Sequence, residues 1–201
     1  FYFELAQIFG EVPLDLAPEL EYLEKSTLPE IYAQIAFDMK TAIENLPDDP
    51  YSVTTSGRAT KWAAEALMAR IFLFYTGIQG TSTLPVAGGS DITKTQVIDW
   101  LADLTAHSGH GLLSNFKSIW PYSSLTAAEY PFSSEDWAGD GCKETVFAVK
   151  YTNKGHWAGA GNNGRLAYCN QLVLFTSVRG KQFPPFGAGW GIANVNSELL
   201  N

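Results

Sequence analysis

Apolar positions between Thr27 and Leu46 recur at spacings of three and four, which places them on one face of a helix. The set consists of Ile31, Ile35, Met39, Ala42, Ile43 and Leu46. Thr27 and Glu30 have the spacing of a capping box, in which each side chain satisfies a free backbone N–H at the helix start. Pro47 cannot continue a helix. The pattern therefore predicts a helix from about residue 28 to 46.

A second helix is predicted from about Thr60 to Tyr75, capped by Thr60 and ended by Gly77. Four alanines give it a small-residue face that allows close packing: Ala63, Ala64, Ala66 and Ala69. Trp62 interrupts the small residues at its start and is interpreted as a helix-packing residue, with a partner surface as the alternative. We expect the two helices to pack antiparallel. The residues predicted at that contact are Ile35, Met39, Ile43, Leu67 and Ile71.

A third, shorter helix is predicted over about residues 95–107, and residues 1–9 have the pattern of a helix whose beginning is missing. The apolar side of the third helix is formed by Val97, Ile98, Leu101 and Leu104. Helix starts near residues 27, 60 and 95 recur at about the 34-residue period of tetratricopeptide repeats. Because each period holds one helix and a long loop instead of two helices, the scaffold is predicted to be tetratricopeptide-like only.

After residue 108, Gly, Ser, Pro and Asn become frequent, and residues 145–151 form the one clear strand candidate, with side chains alternating between two faces. The fold class is therefore predicted to be mostly α, with a tetratricopeptide-like helical scaffold and a loop-rich region containing short strands. Residues 1–108 would form the helical part and residues 109–201 the loop-rich, ligand-binding part of the same domain, incomplete at both ends. Long loops inside a compact domain are usually functional.

The charge of the chain narrows its function. Thirteen Lys and Arg stand against 21 acidic residues, giving a net charge of -8, so binding to nucleic acid through its phosphates is not expected.

The longest apolar helix, residues 61–75, is too short and too charged to cross a bilayer, which needs about 20 apolar residues. We expect any export signal to have been removed or to lie outside this sequence. Cys142 and Cys169 could form a disulfide or remain buried thiols, and both readings stay open.

Aromatic residues make up 13% of the chain, including six Trp, and those after residue 120 lie in stretches that are also rich in Gly, Asn and Ser. A sugar offers apolar C–H faces and a rim of hydroxyls, so its site needs flat rings beside amides or Arg. A Gly-rich stretch and the later GAGWG segment supply these groups. The candidate ligand-binding residues are Trp157, Asn162, Asn163, Arg165, Tyr168 and Trp190. The alternative is that both Trp rings are buried in packing, as Trp usually is.

Several sequence runs together resemble the SusD/RagB family. FYFELAQIFGEVPL at residues 1–14 is similar to a segment that ends an early helix and turns through Gly-acid-Val-Pro-Leu. GRATKWAAEALMARIFLFYTG at residues 57–77 resembles the family's most recognisable helix, which begins Gly-Arg-Ala-Thr-Lys. ETVFAVKY at residues 144–151 and GWGIANVNSELL at residues 189–200 follow in the family's order and spacing. The resemblance covers nearly the whole chain.

The resemblance implies a function as well as a fold. Members of this family are lipid-anchored on the outer face of the outer membrane, at the cell surface, and sit as a lid on a SusC-like TonB-dependent transporter. They hold oligosaccharides for uptake and do not cleave them, so no catalytic residue and no cofactor are expected. The family's lipid-bearing Cys, first helices and C-terminal region are not in this sequence. The membrane would be reached only through that lipid anchor.

Two other functions are compatible with the residues. A tetratricopeptide-like scaffold that binds only protein would use a helical groove instead of the loops. A glycoside hydrolase would need two carboxylates placed across a glycosidic bond, and the candidates are Glu135, Asp136, Asp140 and Glu144. Their spacing gives no such pair, so an enzyme is not predicted.

Cofactor and metal sites are not predicted either. GAGNNG at residues 159–164 matches a dinucleotide-binding pattern literally but lacks an acidic residue about 20 positions on. His107 and His110 are expected to be solvated, since no Cys or acid stands near them in the sequence to complete a metal shell. Asp136 and Asp140 lack the ligand spacing of a calcium-binding loop.

Overall fold

The computed structural model describes residues 1–17, 22–53, 57–119, 138–139 and 141–150. The chain divides into two compact units, one formed by residues 1–112 with 143–148 and the other by residues 113–142 with 149–201. In the described part of the second unit, a short 3₁₀ helix spans Phe116–Ile119. The first unit is described almost completely and carries the four described α-helices.

The first unit contains α1 (Tyr2–Phe9), α2 (Leu28–Asn45), α3 (Lys61–Gln79) and α4 (Lys94–His107). Two short strands, β1 (Thr83–Leu84) and β2 (Ile92–Thr93), pair antiparallel between α3 and α4, with Leu84 opposite Ile92. Both of these side chains are buried. The predicted mostly α class is confirmed. Across the described residues, no helix is long and apolar enough to cross a membrane.

Helix α2 begins and ends where its sequence predicts. The Glu30 carboxylate accepts hydrogen bonds from the Thr27 backbone N–H at 2.9 Å and from the Thr27 hydroxyl at 2.8 Å. These two hydrogen bonds hold the pKa of Glu30 below its ordinary value. At the other end the helix stops at Asn45, and the extended Leu46 leads into Pro47.

Helix α3 begins as predicted but ends later. The Thr60 hydroxyl caps its start by accepting a hydrogen bond from the Ala63 backbone N–H at 3.2 Å. The predicted end at Gly77 is wrong, because the helix continues to Gln79 and Gly80 forms the left-handed C-cap with a φ of 63°. A glycine inside a helix costs about 1 kcal/mol relative to Ala, which is too little to end a long helix on its own.

Helices α2 and α3 pack antiparallel, as predicted. The Lys61 backbone N–H at the start of α3 donates to the Pro47 carbonyl just after α2, at 2.9 Å. At the opposite end the rings of Tyr32 and Tyr75 have centroids 4.9 Å apart. Since the end of one helix meets the start of the other, the two helices run in opposite directions.

The core of the first unit lies between these two helices. Of the five residues predicted at their contact, three are buried (Ile35, Ile43 and Ile71) and Met39 is partly buried. Leu67 is 37% exposed, so the expectation that it is buried in the contact is wrong. The next residue, Met68, is fully buried instead, because each helical step rotates the side chain by about 100°.

Helix α4 presents a different face to the core from the predicted one. Val97 is buried, Trp100 packs against the core and Leu104 is half-buried, at spacings of three and four. Ile98 and Leu101 are exposed, so their predicted place on the packed side is wrong. Apolar residues next to the core-facing side of a helix can recur at the same spacings of three and four as residues on that side.

The predicted strand at residues 145–151 is also wrong over the part that is described, because residues 145–150 are in no strand. Tyr151 lies outside the described residues. Alternating side chains make a strand only where a neighbouring strand can complete the hydrogen-bond ladder.

Candidate functional site

All six sequence-predicted ligand residues lie outside the described residues: Trp157, Asn162, Asn163, Arg165, Tyr168 and Trp190. Their role therefore stays a prediction. Cys142 is buried, whereas its possible partner Cys169 lies outside the described residues.

A cleft of about 490 Å³ opens in the first unit where the loop after α2 meets the start of α3. We call it the loop cleft. Besides backbone and small residues, its lining includes Asp49, Tyr51, Arg58, Trp62, His110 and Thr145.

Trp62 forms a fixed part of this lining. Its side chain is only 3% exposed, and its indole N–H donates to the Asp49 carbonyl at 2.9 Å. The Lys61 ammonium lies 5.0 Å from the indole centroid, within cation–π range. The interpretation of Trp62 as a packing residue is confirmed, and its indole N–H ties the loop after α2 to α3.

Tyr51 and His110 form a second wall of the loop cleft, with ring centroids 5.1 Å apart. Both residues are held by Ser108 at the end of α4. The Tyr51 backbone N–H donates to the Ser108 carbonyl at 2.6 Å, and the His110 backbone N–H donates to the Ser108 hydroxyl at 3.1 Å. Gly109 has a φ of 71°, and a Cβ placed there would lie 3.4 Å from the Tyr51 nitrogen, so glycine suits this junction.

The protonation of neutral His110 follows from its contact. Its Nδ1 lies 2.9 Å from the Lys143 carbonyl oxygen, which can only accept a hydrogen bond. Nδ1 therefore carries the proton, and Nε2 is the nitrogen left to accept one.

A chain of charges joins α3 to α4 beside the loop cleft. The Lys61 ammonium lies 2.5 Å from the Asp103 carboxylate, which also lies 2.7 Å from Nδ1 of His107. Hydrogen bonds from Lys61 and His107 hold the pKa of Asp103 below its ordinary value, and the bond to Asp103 raises the pKa of Lys61. Asp103 is thus an acidic neighbour of His107 one helical turn away. The sequence-based expectation was a solvated histidine with no acid near it. No group of three or more potential metal ligands occurs among the described residues.

Glu65 is the buried residue in this chain of charges. Its side chain is fully buried, and neither oxygen has a hydrogen-bond partner among the described residues. The Lys61 ammonium is 3.7 Å from Oε1, which is an ion pair but too long for a hydrogen bond. Burial raises the pKa of Glu65 to about 7, although the charge of Lys61 opposes that shift.

A second concavity, of about 530 Å³, lies along α2 and α3. We call it the apolar groove. Met39, Ala42 and Leu46 line one side, and residues 144–147 complete it. The α3 side is lined by Ala63, Ala64, Ala66 and Leu67. Glu144, one of the acids considered for a hydrolase, thus belongs to a mainly apolar lining. The other three of those acids lie outside the described residues.

Comparison with known proteins finds similarity to the SusD-like family. Residues 1–73 match a family model named SusD-like_3, described as "Starch-binding associating with outer membrane". A SusD-like protein of Bacteroides ovatus is 21% identical over 161 residues, which cover 78% of this chain and 25% of that protein. The chain is therefore similar to SusD-like proteins.

Solved structures share the fold of this chain. A crystal structure with a xylogluco-oligosaccharide matches 94% of the chain at 18% identity, with a TM-score of 0.63. The surface glycan-binding protein A from Bacteroides uniformis matches 94% at 19% identity, with a TM-score of 0.58. The tetratricopeptide-like fold is thereby confirmed. The chain spans about a third of the length of these structures and a quarter of the Bacteroides ovatus relative.

Sequence reasoning did not anticipate the loop cleft. Tyr51 and Arg58 lie seven positions apart, but His110 lies more than 50 positions from both, and the three residues belong to no shared periodic pattern. One signal was available: Arg58 is the second residue of the GRATK run that carries the family resemblance. That run indicated where the helix starts, but not which distant residues would lie beside this start in the folded protein.

Proposed function

We propose that this SusD-like protein captures oligosaccharides at the cell surface, anchored to the outer membrane by lipid, and passes them uncleaved to a SusC-like TonB-dependent transporter. The family match carries the proposal, because the matching family model is described as starch-binding and associated with the outer membrane. The shared fold adds support, since one matching structure was solved with a xylogluco-oligosaccharide and another is a surface glycan-binding protein.

The proposed ligand contacts are the aromatic rings of Trp157, Trp190 and Tyr168 with the polar groups of Asn162, Asn163 and Arg165. A neutral glycan gains little from a net charge of -8, so its affinity must come from ring stacking and a few directed hydrogen bonds. Dissociation constants in the micromolar to millimolar range, roughly -8 to -4 kcal/mol, are expected for such a site. Salt should change them little.

Calorimetric titration of the full-length protein with malto-oligosaccharides and xylogluco-oligosaccharides tests this function. Trp157→Ala and Trp190→Ala should each be compared with Tyr22→Ala. This control removes an aromatic ring of the first unit that is 95% exposed. At least one Trp variant should lose tenfold or more in affinity, about 1.4 kcal/mol or more, with an unchanged melting temperature. The control should bind like the parent.

Four results would count against the proposal. If neither oligosaccharide family binds, or if both Trp variants bind like the parent, the proposed ligand or its site is wrong. Products appearing from the oligosaccharides during the titration would contradict the non-catalytic role. Retention of the transporter during detergent purification of the lipid-anchored protein would support the uptake role, and its absence under cross-linking would oppose it.

A further inference from the structure

We propose that the loop cleft is a second carbohydrate site, which takes one uncharged sugar ring. The inference shares its ligand class with the proposed function but uses different residues, in the unit formed by residues 1–112 and 143–148. It would supply an additional contact for a glycan or a separate site for a free sugar.

The loop cleft has the size and rigidity of a small-molecule site. Its volume of about 490 Å³ falls within the 300–1,000 Å³ that is usual for such sites. Hydrogen bonds between distant segments fix its walls: Tyr51 to Ser108, Trp62 to Asp49, and His110 to Lys143. A site whose walls are already held in place loses little entropy on binding.

The polar groups of the loop cleft match a ring of hydroxyls. Arg58 is exposed, and no ion pair or hydrogen bond engages its guanidinium among the described residues, so its five N–H donors remain for a ligand. His110 retains Nε2 as an acceptor, because Nδ1 is occupied by the Lys143 carbonyl. A sugar hydroxyl can accept from the first group and donate to the second.

The apolar groups of the loop cleft match the faces of a sugar ring. Tyr51 and Trp62 both line it, and Tyr51 is only half-buried, so part of its side chain can meet C–H groups. Arg58 and Asp49 contribute opposite charges to the lining. Because these charges balance locally and the chain carries a net charge of -8, the cleft favours a neutral sugar over an acidic one.

The test uses full-length protein labelled with ¹³C at histidine Cε1, with His110→Gln identifying the His110 signal. The probes are the methyl glycosides of glucose, galactose, xylose and mannose, with glucuronate as the acidic comparison, each titrated to 100 mM. At least one methyl glycoside should shift the His110 signal saturably, with a millimolar dissociation constant. Arg58→Ala should weaken this binding at least tenfold. Arg70→Ala, an equal charge change at an exposed site in the apolar groove, should alter it less than twofold.

The response at His110 should persist when Trp157 and Trp190 are both replaced by Ala, so this proposal and the proposed function can fail separately. The second site is excluded if no methyl glycoside moves the His110 signal, or if Arg58→Ala binds like the parent. Tighter binding of glucuronate than of every neutral probe would overturn the assigned ligand class.

Discussion

Helix α3 is held on its two sides by different kinds of contact. Toward α2 it packs through apolar residues, and three aromatic rings join them: Tyr32 lies 4.9 Å from Tyr75 and is stacked 6.5 Å from Phe74. Toward α4 the apolar part is small, with Val97 buried and Trp100 packed alongside. There the charged chain from Glu65 through Lys61 to Asp103 contributes a contact of another kind.

This difference between the two contacts determines how the stability of each should respond to pH and salt. Apolar packing changes little with pH or salt, whereas a chain of ionisable groups changes with both. The α3–α4 contact also stands beside the loop cleft, because Lys61 and Trp62 are neighbours at the start of α3. We therefore expect stability to reside in the α2–α3 contact and pH sensitivity in the α3–α4 contact.

The largest effect is expected from the apolar side. Ile71→Ala removes a fully buried side chain of α3 and leaves a cavity, so the free energy of unfolding should fall by about 2–5 kcal/mol. Leu73→Ala shortens a side chain of the same helix that is 70% exposed and should change it by less than about 0.5 kcal/mol. Urea unfolding followed by circular dichroism measures both. Equal losses in the two variants would show that the core does not lie between α2 and α3.

A smaller loss is expected when the cation of the α3–α4 contact is removed. Lys61→Met leaves Glu65 and Asp103 facing each other without a positive charge, and should lower the free energy of unfolding by about 1–2 kcal/mol at pH 8. Lys94→Met is the control, because Lys94 makes no ion pair within the described part of the chain. In a double-mutant cycle, Asp103→Leu should recover part of the loss, and purely additive effects would argue against the ion pair.

The pH dependence should trace to Glu65. Its pKa is raised to about 7 from an unfolded value of 4.5, so the folded protein holds this proton more tightly. The stability that protonated Glu65 allows is complete below pH 4.5 and falls as the pH rises through 7. Asp103 has a lowered pKa and acts oppositely, with its contribution lost only as the pH falls below about 4. Between pH 5 and 8, Glu65 should therefore dominate.

Glu65→Gln removes this titration and isolates it. The variant should be more stable than the parent by about 1–2 kcal/mol at pH 8, and this advantage should shrink toward pH 5, where the parent's Glu65 is neutral. Thermal unfolding in matched buffers at the two pH values measures it. Glu44→Gln, at an exposed position of α2, is the control and should show no such trend. A parent that gains stability from pH 5 to 8 relative to Glu65→Gln would reverse the assignment.

The two sides of α3 also explain what the sequence could predict. Residues of α2 such as Ile35 and Ile43 repeat at helical spacing and lie on the packed face, so periodicity was enough to place them. Leu67 and Ile98 have similar spacing but lie beside the packed face, since hydrophobicity does not indicate the rotation of a helix about its axis. The partner of each helix decides that rotation.

The charged chain and the loop cleft could not be predicted for a related reason. Lys61 and Asp103 are 42 positions apart, and their contact depends on how α4 returns along α3. His110 meets the Lys143 carbonyl 33 positions away, which no local pattern indicates. The capping residues Thr27 and Thr60 were predictable because their partners lie three positions away.

The smallest effect concerns the end of α3, where local pattern and structure disagree. Gly77 lies inside the helix, and a Cβ added there would meet nothing within 4 Å. Gly77→Ala should therefore raise the free energy of unfolding by about 0.5–1 kcal/mol, because Ala loses less backbone entropy in a helix. Gly80 has a φ of 63°, so Gly80→Ala should lower it by about 1 kcal/mol, although its Cβ would also meet open space. Parallel urea titrations decide the matter: if Gly77→Ala were the destabilising variant and Gly80→Ala neutral, the helix would end at Gly77 after all.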